Sequence, residues 1–282
     1  MATPVLQAVH SSAVEYEILA APHLQKLFSR EPYADRIDPI GRISGLRNFV
    51  QQVREMRAKQ FRRVFLINRS ARSALVARFA GIQERIGHNT EGRGVLLTHQ
   101  CVYDTAKFEA ECYGDLARLV GLQSDDSRVH LTGSGALKLP NAVGLQPGST
   151  AVHKAIPPVA LAVLIEELQA RERHVVFLGG KEEAPYAEQV LVLLREPNRI
   201  ENLIGACSLP ETIAKIESMS QVFCGDTGLI HISAGLGVPS VSVFAGTPSS
   251  KWGHHYAPHQ VIDVGHPDIN HISPEKLVEA IL

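Results

Sequence analysis

Short apolar runs alternate with segments of helical period along almost the whole chain, a pattern that predicts parallel βαβ units. In the first half it predicts strands over 14–20, 36–39 and 63–68, and helices over 4–9, 44–59, 70–79 and 106–120. The segment 123–140, QSDDSRVHLTGSGALKLP, is polar and turn-rich without helical period, so it predicts a linker. Beyond it the alternation resumes, with strands over 142–146, 174–178, near Ile204, and over 222–224, 240–244 and 260–264. Helices over 157–171, 183–194, 210–218, 229–236 and 274–282 fall between and after them. Such a series predicts a doubly wound parallel sheet.

Two helices in the first half carry further detail. Thr3-Pro4 reads as the N-cap and first residue of the opening helix, with no strand before it, although a doubly wound domain ordinarily opens on a strand. Ser44 reads as the N-cap of a helix that gathers Leu46, Phe49, Val50, Val53 and Met56 on one stripe. Its other face holds Arg47, Arg54, Arg57 and Lys59, either a solvated surface or one turned toward an acceptor or a membrane.

A chain of 282 residues with 45% hydrophobic and 20% charged side chains buries enough surface for two ordinary domains, which excludes disorder. No run reaches the roughly 18 apolar residues of a membrane span, and no secretory signal is visible, so a cytoplasmic protein is expected. The four Cys, at 101, 112, 207 and 224, form no CxxC pair and read as reduced thiols. The net charge of −1 conceals an asymmetry: 17 basic against 12 acidic side chains up to Leu122, and 11 against 17 after it. Lobes of opposite sign suggest different partners.

The densest chemistry lies in the second half. In Phe223-Cys224-Gly225-Asp226-Thr227-Gly228-Leu229-Ile230-His231 a buried strand ends at Gly225, and Asp226 or Thr227 caps the next helix. Gly228 lets a ligand approach the first amides of that helix, an anion site by their dipoles. His231 follows Thr227 by one turn. A second connection, Gln146-Pro147-Gly148-Ser149-Thr150, offers two hydroxyls, with Lys154 close behind. A third, Gly179-Gly180-Lys181-Glu182-Glu183, offers a carboxylate suited to ribose hydroxyls. Each also has a plain structural reading: Asp226 as an N-cap, Gly179-Gly180 as a turn, Lys154 as a surface lysine. Together the three loops converge on a nucleotide diphosphate.

The stretch GDTGLIHISAGLGVPSVSVFAGTP resembles the signature of glycosyltransferase family 9, the ADP-heptose:lipopolysaccharide heptosyltransferases. QPGST with its following HK, and the Gly-Gly-x-Glu turn, match the family's other donor loops in order and spacing. RFAGIQERIGHNTEGRGVLLTH and MATPVLQAV extend the resemblance over nearly the whole chain, most closely to the heptosyltransferase II branch. It implies a GT-B fold: α/β, two Rossmann-like domains with parallel sheets facing a central cleft, residues 1–125 binding the acceptor and 126–282 the nucleotide sugar. By resemblance Asp226, Thr227, Gly228 and His231 contact the donor's diphosphate and sugar, Ser149, Thr150 and Lys154 hold phosphate, and Glu182 holds the ribose. His231 and Lys154 stabilise the leaving group. After its lysine the family continues Arg-Trp-Pro, where this chain has Ala155-Ile156-Pro157.

The activity implied is inverting transfer of heptose from ADP-heptose to the inner core of lipopolysaccharide, with a lipid A-linked acceptor at the cytoplasmic face of the inner membrane, peripheral attachment and no nucleic-acid partner. Lys154 and the helix amides can carry the leaving group's charge, so no metal or other cofactor is expected. His254, His255 and His259 lack a zinc spacing. Family members open on a strand and a Gly-Asp turn whose aspartate is the implied general base, whereas Met1 falls where the family has an internal apolar residue. The expectation is therefore a chain lacking the first strand and that base. The alternative function is then a catalytically impaired nucleotide-sugar-binding protein, and a third is a sugar epimerase on the same fold.

Overall fold

The structure, a computed structural model, describes all residues except 13, 42, 43, 124, 125, 150 and 282. The chain divides into two compact units, Met1–Arg128 and Val129–Leu282. The expected linker contains the division, and its described residues up to 139 are neither helix nor strand.

The first unit runs α1 (Thr3–His10), β1 (Ile18–Ala20), α2 (Pro22–Leu27), β2 (Ile37–Pro39), α3 (Gly45–Ala58), β3 (Arg63–Leu66), α4 (Ala71–Phe79), β4 (Glu84–His88), β5 (His99–Cys101) and α5 (Glu109–Arg118). The strands β1 and β2 pair in parallel, and β3, β4 and β5 form a second parallel sheet in that order. Met56, Val76, Ala77, Ala80 and Ile82 pack as one core cluster, with Phe49 and Val53 against it.

Several expectations for this unit shift. Thr3 is the first helical residue rather than the cap, a position held by Ala2. Strand 14–20 shrinks to its last three residues, and the helix expected from 106 begins at Glu109. Ser44 does occupy the N-cap of α3, but its hydroxyl accepts from the Asn48 side chain at 3.0 Å instead of capping an amide. The apolar stripe of α3 is only half covered: Met56 is buried, whereas Leu46 is 78% exposed and Val50 is exposed as well. Both α2 and the strands β4 and β5 go beyond the elements predicted. Strand β4 reads as polar because Glu84 and Arg85 open it, yet both charges are used. Glu84 accepts from Arg63 Nε, its partner in register on β3, at 2.6 Å, and Arg85 Nε donates to the Leu96 carbonyl at 2.6 Å.

The carboxyl ends of β3 and β4 are tied by Arg93, only 1% exposed. Its guanidinium donates to the carbonyls of His88 (2.8 Å), Asn68 (2.6 Å), Ser70 (3.3 Å) and Leu66 (3.3 Å). A planar cation with a fixed fork of donors suits such a ring of carbonyls.

The second unit carries β6 (Ala142–Leu145), α6 (Pro158–Ala170), β7 (His174–Phe177), α7 (Ala184–Leu193), β8 (Ile200–Asn202), α8 (Leu209–Ser218), β9 (Gln221–Gly225), α9 (Gly228–Gly235), β10 (Ser240–Phe244), α10 (Ser249–Trp252), β11 (His259–Asp263) and α11 (Pro274–Glu279). The short strand expected near Ile204 lies just before it. All six strands are parallel, in the order β11-β10-β9-β6-β7-β8. β6, β9 and β10 are buried at every residue, which suits the apolar runs of β6 and β9 and places the two serines of β10 inside the sheet's cover as well. Helix α6 supplies the main cover, burying Leu161, Leu164, Ile165 and Leu168 on Val143, Leu145, Val175 and Phe177. This is the order of a classical dinucleotide-binding sheet, whose direction reverses between β6 and β9. The connections after these two strands diverge and open a crevice at their carboxyl ends.

Replacing Arg93 by Leu leaves four carbonyls without their donor. The Arg93→Leu protein is expected to lose roughly 3 kcal/mol or more of unfolding free energy, read as a lower urea midpoint; an unchanged midpoint contradicts the clamp.

Candidate functional site

The site is built at the switch point between β6 and β9. Gly225 ends β9, and a Cβ there would lie 2.2 Å from the Lys154 carbonyl oxygen, so only glycine lets the two connections come this close. Lys154 closes a 3₁₀ turn, Val152–Lys154, and its ammonium donates to Asp226 Oδ2 at 2.5 Å. Both side chains are largely buried, which strengthens the pair relative to one in open solvent.

Thr227 takes the N-cap position of α9, in extended conformation, but makes no cap hydrogen bond. Its hydroxyl donates instead to Gln146 Oε1 at 2.5 Å. Among the described residues no side chain caps the first amides of the helix, and a Cβ on Gly228 would meet nothing within 4 Å. A helix end of this kind is a site of positive potential with room beside it, suited to an anion.

Gln146 also donates through Nε2 to Glu183 Oε1 at 2.9 Å, and Glu183 accepts from the Gly180 amide at 3.4 Å. Thr227, Gln146 and Glu183 thus join the connections after β9, β6 and β7 by side-chain hydrogen bonds. Glu183 is 5% exposed, and burial raises its pKa against the opposing effect of these donors. Its neighbour Glu182, the carboxylate expected at the ribose, is exposed and makes no hydrogen bond among the described residues. Ser149 is buried and its hydroxyl accepts from the Ala151 amide at 3.2 Å. Thr150 lies outside the described residues.

His231 sits in the first turn of α9, where side chains lean back toward the amino end. Its Nδ1 lies 2.9 Å from His254 Nε2, and His254 Nδ1 lies 3.0 Å from the Tyr256 hydroxyl. Burial pushes the His231 imidazole down to about 3 and lowers that of His254 as well, so both are neutral at physiological pH. Among the described residues no group of three or more His, Cys, Asp or Glu is placed to hold a metal ion.

The structure therefore gathers Lys154, Asp226, Thr227, Gly228 and His231 at one crevice, with Ser149 on the same connection as Lys154. Gln146, Glu183, His254 and Tyr256 were not singled out for these contacts from sequence. Gln146 opens the QPGST loop and Glu183 follows Glu182, so their neighbourhood was marked but not their pairing.

Glycosyltransferase family 9 (heptosyltransferase) matches residues 50–271. Lipopolysaccharide heptosyltransferase 2 of Escherichia coli K12 is 25% identical over 271 residues, covering 87% of this chain and 77% of that one. The protein of the same name from Salmonella typhimurium LT2 is 24% identical over the same shares. Among solved structures, E. coli ADP-heptose lps heptosyltransferase II superposes with a TM-score of 0.80 at 21% identity, covering 99% of this chain and 92% of that one. Two Rossmann-like units of parallel sheet and helices are thus the GT-B fold of these enzymes. With the family matched over most of its length, the chain belongs to glycosyltransferase family 9 and is a glycosyltransferase.

Proposed function

We propose that the chain transfers heptose from ADP-heptose to the lipid A-linked inner core of lipopolysaccharide, with inversion at the anomeric carbon. The observation that carries this reading is the uncapped amino end of α9 beside the Lys154–Asp226 pair. In this reading the second unit is the donor domain and the first the acceptor domain. The diphosphate of ADP-heptose lies on the amides of Gly228 and Leu229, and Lys154, held at the rim by Asp226, balances its charge. Ser149 and Thr150 add hydroxyls on the β6 connection, and Thr227 keeps the helix end open by bonding Gln146. Glu182, exposed on its turn, is the carboxylate placed to meet ribose hydroxyls, since Glu183 is committed to Gln146.

The acceptor hydroxyl attacks the anomeric carbon as the bond to the diphosphate breaks, its proton passes to solvent water, and ADP departs with the bonding pair. Negative charge grows on the leaving diphosphate, where a preorganised helix end and a lysine stabilise it more than they do the ground state. A neutral His231 adds a hydrogen bond without further charge. Lys154 and the amides together supply the counter-charge that a divalent metal would otherwise provide, so no metal is needed in this reading.

Among the described residues no helix is long and apolar enough to cross a membrane. A lipid-linked acceptor then requires approach to the cytoplasmic face of the inner membrane from outside it, and α3 offers a surface for this. Leu46 and Val50 are exposed beside Arg47 and Arg54, while Lys59 is held by Glu17 and Asp38 and Arg57 donates to the Phe79 carbonyl at 2.6 Å. Arg47 and Arg54 remain to meet anionic headgroups, each contributing about 1 kcal/mol.

The Lys154→Ala variant is expected to bind ADP roughly 10- to 100-fold more weakly by calorimetry, as a charge-assisted hydrogen bond is lost, and to slow turnover of ADP-heptose on heptose-deficient core. Undiminished affinity and turnover contradict the assignment. ADP binding without any transfer by the unaltered chain would instead mark a nucleotide-sugar-binding protein.

Reversing both charges, Arg47→Glu with Arg54→Glu, is expected to weaken sedimentation with anionic liposomes about tenfold or more and to leave ADP affinity unchanged. Equal liposome binding by both proteins removes α3 as the membrane face.

A further inference from the structure

His231, His254 and Tyr256 form a short series whose hydrogens must be ordered. His254 is 2% exposed, and its ring stands across that of His231 at 77° with centroids 5.1 Å apart. Both of its nitrogens are engaged, Nε2 with His231 Nδ1 and Nδ1 with the Tyr256 hydroxyl. The ring of His259 packs 5.2 Å from that of Tyr256, and its own Nδ1 is engaged with Ser240 Oγ at 2.9 Å. His231 Nε2 makes no hydrogen bond among the described residues.

A neutral imidazole has one N–H and one lone pair, so each ring that accepts at one nitrogen must donate at the other. Within these three side chains two orders satisfy the contacts. In the first, Tyr256 donates to His254 Nδ1, His254 Nε2–H donates to His231 Nδ1, and His231 carries its hydrogen on Nε2. In the second every hydrogen runs the other way, and His231 Nε2 is left as a bare acceptor. A ligand that presents only acceptor oxygens at the end of α9 is compatible with the first alone.

We propose that His254 and Tyr256 are positioning residues that fix His231 in the Nε2–H tautomer, so that an uncharged N–H meets a diphosphate oxygen of the bound nucleotide sugar. This rests on reading the end of α9 as the diphosphate site. In that order the Tyr256 hydroxyl donates at the far end of the series. A half-buried neutral donor gives direction to the contact without placing a second cation beside Lys154.

The test uses the full chain with labelled histidines, ADP as the probe, and long-range nitrogen–proton NMR to read the tautomer of His231. With ADP bound, the unaltered protein is expected to show Nε2–H. Tyr256→Phe preserves the ring and removes the ordering donor. It is expected to turn His231 into a mixture of tautomers and to weaken ADP binding roughly three- to tenfold, the effect of one hydrogen bond. His254→Gln, whose amide can still donate to Nδ1, is expected to keep the Nε2–H form, while His254→Phe loses it. A bound-state Nδ1–H tautomer, or a Tyr256→Phe protein with the tautomer and affinity of the parent, overturns the proposal. If Lys154→Ala weakens ADP binding while that happens, the site reading stands and only the proposal falls. If ADP does not bind the parent protein, both fall.

Discussion

The site depends on where one hydroxyl spends its hydrogen bond. A threonine at an N-cap ordinarily satisfies the second or third amide of its helix. Thr227 turns to Gln146 instead, and among the described residues no side chain meets the first donors of α9. An uncapped helix end costs about 1 kcal/mol of stability, an outlay that a bound anion repays.

That exchange is possible because the sheet order brings β6 and β9 side by side. Gln146 continues β6 by one residue and Thr227 stands two residues beyond β9, so their side chains meet across the switch point. Gly225 lets the Lys154 backbone settle against the end of β9, which delivers the ammonium to Asp226. Glu183 anchors the other side of Gln146. The crevice is thus preorganised by contacts among its own walls, the condition under which dipoles and charges act on a leaving group without reorganising.

Much of this was legible in the sequence where the signal is local. Apolar runs marked β6, β7 and β9 because nearly every residue of those strands is covered on both faces. The Asp-Thr-Gly-x-x-His turn and the lysine after QPGST named the residues of the crevice. What stayed hidden is long-range. That Glu183 rather than Glu182 is the buried partner depends on which of two adjacent carboxylates the turn faces inward. That His254 belongs with His231 depends on the path of the chain between α10 and β11. In the first unit β4 escaped notice because its charges are answered by Arg63 and by a backbone carbonyl, neither of which has a periodic signature. The stripe on α3 overstated its burial because periodicity marks a face but not how far along the helix a neighbour reaches.

If the amides at the start of α9 hold the diphosphate, they respond when the nitrogen-labelled protein is titrated with ADP. The Gly228 and Leu229 amide proton resonances are expected to move downfield together and to saturate at the calorimetric affinity. Resonances that stay in place while ADP binds would contradict it.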